Sequence, residues 1–146
     1  AVELARKMGL KVGYAAAPFD AARVKAVLPS LDFLILNEVG AQQLQDATGK
    51  RPDALGVRDV IVTLGGDGAD WYGADGHQRF DAIPVTPVDT TGAGDTFTGY
   101  VLAGLDRGLP MEQAINLAQK AGALMVTRHG TADVIPDLSE VNGFQP

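Results

Sequence analysis

Two stretches constrain the fold of this chain more than any others. Residues 32–38 read Asp-Phe-Leu-Ile-Leu-Asn-Glu, and residues 59–69 read Asp-Val-Ile-Val-Thr-Leu-Gly-Gly-Asp-Gly-Ala. A strand with one wet face alternates apolar and polar residues. These runs are apolar without a break and end in polar or glycine residues, the pattern of parallel strands covered on both faces. Parallel neighbours cannot be joined by a tight turn, so a crossover, usually a helix, must lie between them. Residues 39–49 supply it, with helical spacing that stops at Gly49. Upstream, residues 1–8 fit the end of an amphipathic helix stopped by Gly9, residues 11–18 a short buried strand closed by Pro18, and residues 20–28 a helix with Asp20 as N-cap. Downstream, residues 69–82 alternate around Asp75-Gly76, a hairpin signal, and residues 96–108 and 111–130 carry helical spacing. The order predicts an α/β fold of three layers, α/β/α, with a mostly parallel sheet. Ligands of such sheets lie beyond the carboxyl ends of the strands, where this chain places Asn37-Glu38 and Thr63 through Gly68.

Composition narrows the partners. Lys plus Arg is 12 against 18 for Asp plus Glu, and no basic run stands out, which argues against nucleic acid and anionic membranes. Cysteine is absent, so disulfides and thiol chemistry are excluded, and the two histidines, His77 and His129, are too far apart in sequence to suggest zinc. No apolar stretch reaches the roughly 18–20 residues of a membrane span, and no signal-peptide pattern is present, so the cytoplasm is the expected location. The chain opens on Ala-Val-Glu-Leu rather than Met, inside a helical pattern, and is expected to be a piece of a longer protein.

Residues 89–97, Asp-Thr-Thr-Gly-Ala-Gly-Asp-Thr-Phe, hold the densest chemistry. Small residues at 92–94 let backbone N–H groups converge on one point, and a following helix adds its free amides and positive dipole end. That is an anion hole suited to a phosphoryl group. Asp95 at its mouth would repel an anion as a ligand but is suited to act as a general base on an attacking hydroxyl. The tract is not a Walker A loop, because Gly-Asp-Thr stands at 94–96 where Gly-Lys-Ser/Thr is required, and Phe97 does not fit a dinucleotide fingerprint. The plainer alternative is that Asp95 is an N-cap behind a glycine turn.

This tract resembles the second signature of the ribokinase-like (PfkB) family of carbohydrate kinases. The resemblance runs nearly the whole chain. "LILNEVGAQQL" is similar to the family's Asn-x-x-Glu region, "VIVTLGGDGA" to its nucleotide-binding strand and turn, and "AGALMVTRHGTADVIP" to its C-terminal helix and loop. "YAAAP" resembles a ribokinase-type turn. The resemblance implies a ribokinase-like fold, of which residues 1–146 are the C-terminal nucleotide-binding and catalytic part, with the N-terminal half and the lid absent. It implies Asp95 as catalytic base, with Gly92, Ala93 and Gly94 as the anion hole. Thr63, Gly65 and Gly68 match positions around the ATP phosphates and ribose, Asn37 one near phosphates and Mg2+, and Gln119 one bordering adenine. Asp89 and the carbonyls of Thr91, Met125, Arg128 and Gly130 match a monovalent-cation (K+) cage.

Two departures from the family pattern stand out. Gly40 replaces the glutamate of Asn-x-x-Glu, and Val134 stands where a serine hydroxyl can face the cation. The expected activity is an ATP- and Mg2+-dependent sugar kinase, with ribose as the first substrate to test and a homodimer as the full-length form. The alternatives are a nucleoside kinase of the same fold and a non-catalytic nucleotide- or sugar-binding member. A half-sheet would expose an apolar edge, so the chain alone is not expected to be an independent enzyme. Residue by residue, plainer readings stay open: a tight turn at Thr63–Gly66, helix-start residues at Asn37 and Glu38, a turn acid at Asp89, a surface amide at Gln119, solvated rings at His77 and His129, and packing at Trp71.

Overall fold

The computed structural model describes residues 1–17 and 19–145. The expected strand closure at Pro18 lies outside the described residues. The chain divides into two compact units, Ala1–Phe80 and Asp81–Pro146.

The first unit is built on a five-stranded sheet in the order β1 (Gly13–Ala15), β2 (Phe33–Asn37), β3 (Asp59–Thr63), β4 (Ala69–Gly73) and β5 (Gly76–Phe80). The first three strands run parallel and the last two antiparallel. Helix α1 (Val2–Lys7) precedes β1, α2 (Ala21–Val27) crosses from β1 to β2, and α3 (Glu38–Thr48) from β2 to β3. Leu34 pairs with Val60 and Leu36 with Val62, so the four side chains share one face, and Val24 of α2 and Leu44 of α3 pack onto them. On the opposite face Ile35 is 5% and Ile61 0% exposed. Both faces of β2 and β3 are therefore buried, which is why their apolar runs carry no alternation. Asp20 caps α2 through the amide of Arg23 at 3.1 Å, and α3 ends on Gly49 in the left-handed region.

The hairpin differs from expectation by one residue. Gly73 pairs with Gly76, so the two-residue turn is Ala74-Asp75, not Asp75-Gly76. Register here is set by side chains across the two strands. The Tyr72 and His77 rings stack at 4.7 Å, and Asp70 stands opposite Arg79. Moving the turn by one residue would break both pairs. Trp71 is partly buried and donates its indole N–H to Asp59 at 3.0 Å, so it packs at a rim with its polar atom satisfied.

The second unit pairs α4 (Ala93–Asp106) with α5 (Met111–Val126) and adds α6 (Leu138–Gly143). The α4–α5 seam brings the helices close at Gly104, where a Cβ would lie 2.9 Å from the Ala114 Cβ, and Ala114, Ile115, Ala118 and Ala121 of α5 are all 0% exposed. Two boundaries depart from the sequence reading. Helix α4 begins at Ala93 rather than 96, and α5 ends at Val126 rather than 130. Helix α6 was not anticipated, although Asp137-Leu-Ser-Glu140 spells a capping box. Asp137 accepts from the Glu140 amide and Glu140 from the Asp137 amide, each at 2.8 Å. The other Glu140 oxygen accepts from Arg128 at 2.7 Å, and Val141 is fully buried beneath the helix. Asp137→Ala is expected to cost about 1 kcal/mol, the usual loss for an N-cap, measured as a lowered midpoint in chemical denaturation. An unchanged midpoint would mean that the box does not hold α6.

Candidate active site

The candidate residues fall into two clusters, one in each unit. In the first unit Asn37 and Thr63 are register partners at the carboxyl ends of adjacent parallel strands. Asn37 is the N-cap of α3, and its Oδ1 accepts from the Gly40 amide at 2.7 Å. The helix-start reading of Asn37 therefore holds, and one lone pair of that oxygen is already used. Gly40 is buried, and a Cβ there would lie 3.1 Å from Asn37 Oδ1 and 3.2 Å from Phe19 Cδ2. The position that carries a glutamate in the family pattern is thus closely walled in this chain. Thr63 Oγ1 donates to the Leu36 carbonyl at 3.4 Å. Beyond Thr63 the chain turns through Gly65 at φ 58° and Gly68 at φ 100°, and Leu64 donates to the Gly68 carbonyl at 2.9 Å. The tight-turn reading of this stretch holds as well, since a tight turn is what returns β3 to β4.

Sequence reasoning missed the side chains that brace this turn. Arg79 on β5 donates to the Asp67 carbonyl at 2.8 Å and to Asp70 at 3.3 Å, while His77 hydrogen-bonds Asp70 at 2.8 Å. His77 is paired and stacked rather than simply solvated. The only available signal was the alternation that puts Asp70, Tyr72, His77 and Arg79 on one face of two paired strands. Burial, then the Asp70 carboxylate, pushes the Tyr72 phenol up. A shallow open depression nearby is lined by Glu38, Gln42, Gln45, Arg51 and Tyr72, among others, and holds none of the predicted site residues.

In the second unit the signature tract enters α4 through a defined turn. The Val88 and Asp89 amides donate to the Val126 carbonyl at 2.7 and 3.2 Å, which ties the tract to the end of α5. Asp89 Oδ1 accepts from the Thr91 amide at 2.9 Å. Gly92 is the N-cap at φ 77°, and a Cβ there would come within 2.9 Å of the Met125 methyl. The left-handed φ favours glycine, and any β-carbon would also have to push the Met125 methyl aside. Because Gly92 is the cap, Asp95 is not. It is exposed in the first helical turn, and no side chain caps that end. The first helical bond is Thr96 to the Gly92 carbonyl at 2.9 Å, so the amides of 93–95 have no acceptor within the helix, although Ala93 closes a long turn onto Thr90 at 3.3 Å. The buried Thr96 hydroxyl donates to the Met125 sulfur and fixes the next residue.

Of the residues expected around a monovalent cation, Asp89 and Thr91 are joined by the amide–carboxylate hydrogen bond. Hydrogen bonds from Thr91, backbone first and hydroxyl second, hold the Asp89 carboxyl below the usual aspartate range, and the Gly130 amide and His129 add to the effect. The Met125 carbonyl accepts from the Arg128 amide at 3.0 Å, while the Arg128 side chain turns away to Glu140. Val134 places a methyl against Gly130, since a Cβ on that glycine would lie 2.9 Å from it. Gln119 is half-buried on α5. Among the described residues no three His, Cys, Asp or Glu side chains converge as a metal site.

Asp89 gives a sign for acid stability. A carboxylate whose folded pKa is depressed stabilises the fold above its unfolded value of about 3.9, and that contribution is lost as pH falls through the folded pKa. Glu140, held low first by Arg128, acts in the same direction. Acid unfolding of Asp89→Asn should depend less on pH below about 4 than that of the parent. Superimposable acid profiles would contradict the hydrogen-bonded carboxylate.

Known proteins resemble this chain in sequence and fold. The model for the pfkB family carbohydrate kinases matches residues 1–138. The ribokinase of Staphylococcus aureus is 30% identical over 97% of this chain and 50% of its own length. The solved ribokinase of Thermotoga maritima superposes with a TM-score of 0.84 at 30% identity, covering 97% of this chain and 50% of that one. Aminoimidazole riboside kinase of Salmonella enterica, solved with aminoimidazole riboside and an ATP analog, gives 0.79 at 27% identity over 97% of this chain and 54% of its own. These likenesses bear out the α/β ribokinase-like fold class, and the chain spans about half the length of the relatives. Residues 1–138 match that family's model and the chain superposes on its solved members almost end to end, so the chain belongs to the pfkB family of carbohydrate kinases.

Proposed function

We propose that the full-length protein transfers the γ-phosphoryl group of ATP to a hydroxyl of a sugar, with residues 1–146 supplying its C-terminal nucleotide-binding and catalytic part. The observation that carries this reading is Asp95: exposed, in the first turn of a helix entered through a left-handed Gly92, at an end no side chain caps. Phosphoryl transfer asks mainly for positioning and charge neutralisation. Asp95 takes the proton from the substrate hydroxyl as its oxygen bonds to the γ-phosphorus and the bond to ADP breaks. The backbone of Gly92, Ala93 and Gly94, with the helix dipole behind it, faces the charge on the transferring group. Thr63, Gly65 and Gly68 border the nucleotide phosphates and ribose, Asn37 the phosphates, and Gln119 the base.

When bound, Mg2+ would supply charge neutralisation to the ATP phosphates. Asn37 with the exposed Glu38 beside it, and no group of three His, Cys, Asp or Glu side chains among the described residues, fits an ion carried in on the phosphates rather than a cage made of protein alone. The Asp89–Thr91 turn supports a K+ site, with Thr91, Met125, Arg128 and Gly130 offering carbonyls. Val134 removes one hydroxyl from it.

A second reading, a nucleoside kinase, draws on the Salmonella relative solved with a riboside. Release of ADP by the full-length protein with Mg-ATP and ribose, fructose, 2-keto-3-deoxygluconate or adenosine, each with and without K+, separates the two. Asp95→Asn should lower kcat by about 10²- to 10⁴-fold on whichever compound is turned over, with ATP affinity unchanged. Turnover by the variant within about tenfold of the parent would remove Asp95 as the base.

A further inference from the structure

We infer that Arg79 is the positioning residue for the glycine turn between β3 and β4, holding the peptide between Asp67 and Gly68 in one orientation. The inference rests on the reading of residues 63–68 as a nucleotide contact and deepens it. The turn is closed at its ends by backbone bonds, from the Leu64 amide to the Gly68 carbonyl at 2.9 Å and from the Asp67 amide to the Leu64 carbonyl at 3.1 Å, but neither of these engages the peptide between Asp67 and Gly68. Gly68 sits at φ 100° and ψ −133°, a region open in practice only to glycine, and no side chain of Gly65, Gly66 or Gly68 can anchor it. A peptide preceding such a residue can flip unless both of its polar groups are engaged. Here both are engaged. The N–H, on Gly68, donates to the Gly65 carbonyl at 3.3 Å, and the C=O, of Asp67, accepts from the Arg79 guanidinium at 2.8 Å. The first bond is long. The second is short and charge-assisted, and so is the stronger constraint.

The guanidinium is in turn held from the side. Asp70, the cross-strand partner of Arg79, accepts from its second nitrogen at 3.3 Å through one oxygen and contacts His77 at 2.8 Å through the other. His77 stacks on Tyr72, its own cross-strand partner. The Asp70 side chain is 16% exposed and that of Arg79 43%. An ion pair this open contributes little to global stability. Its effect belongs in the shape of the turn, and this separates a positioning role from a structural one.

The test uses the full-length enzyme with Arg79→Gln, Arg79→Lys and, as a probe of the turn itself, Thr63→Ala. The readouts are amide exchange at Gly68, the melting temperature, and KM for ATP and for the sugar separately. In Arg79→Gln, exchange at Gly68 should accelerate and KM for ATP should rise about tenfold, while KM for the sugar and the melting temperature hold. Arg79→Lys, which keeps the charge and one donor, should recover part of the loss. Unchanged Gly68 exchange would overturn the inference. So would a rise in both KM values together with a fall in melting temperature. If Thr63→Ala weakens ATP binding and Arg79→Gln does not, the inference falls while the function stands. If neither affects ATP, the reading of the turn as a nucleotide contact fails and the inference goes with it.

Discussion

The first unit depends on the parallel pairing of β2 with β3. Parallel neighbours point their carboxyl ends the same way, so once Phe33 pairs with Asp59, Asn37 must arrive beside Thr63. No further interaction is needed to bring these two residues together from distant parts of the chain. The pairing is in turn enforced by burial. Leu34, Leu36, Val60 and Val62 lie under the helices on one face, Ile35 and Ile61 are buried on the other, and a slip of one residue would exchange the two sets. The hydrophobic effect thus sets the register, and the register sets which polar residues share an edge.

The second unit solves a different problem, how to begin a helix without a side-chain cap. A capped helix start is stable because its amides are satisfied locally, and for the same reason it is closed to ligands. Here the tract is oriented from outside the helix, by the Val126 carbonyl upstream, by Asp89 folding onto Thr91, and by Met125 beneath Gly92. Geometry is thereby fixed while the first-turn amides stay uncommitted to any side chain. The hydrogen bond from Thr96 to the Met125 sulfur belongs to the same device, because it fixes the residue that follows Asp95.

Much of this was legible in the amino-acid order, and the gaps have physical causes. The buried strands were readable because cover on both faces erases alternation, and Asp20 and Gly49 because caps act within a few residues. The start of α4 was misplaced by three residues because Gly92 and Gly94 are poor helix formers, and only the tie to α5 shows where the helix begins. The β4–β5 turn was displaced by one because Asp75-Gly76 is a strong local signal that cross-strand pairs override. Of the site, Asp95 and its glycines were legible as a motif. Arg79 was not, since its partner is a backbone carbonyl twelve residues away, and a carbonyl has no signature in sequence.

Gly40 has a mechanical consequence. Its missing side chain is matched by Phe19 on one side and by the capping oxygen of Asn37 on the other, so that a β-carbon there would require each to shift by a few tenths of an ångström. A side chain can return to that position only if these neighbours give way by that amount. The aromatic ring or the cap must yield first, and both serve the local packing. A change at position 40 is therefore felt at positions 19 and 37, and the three positions are physically coupled.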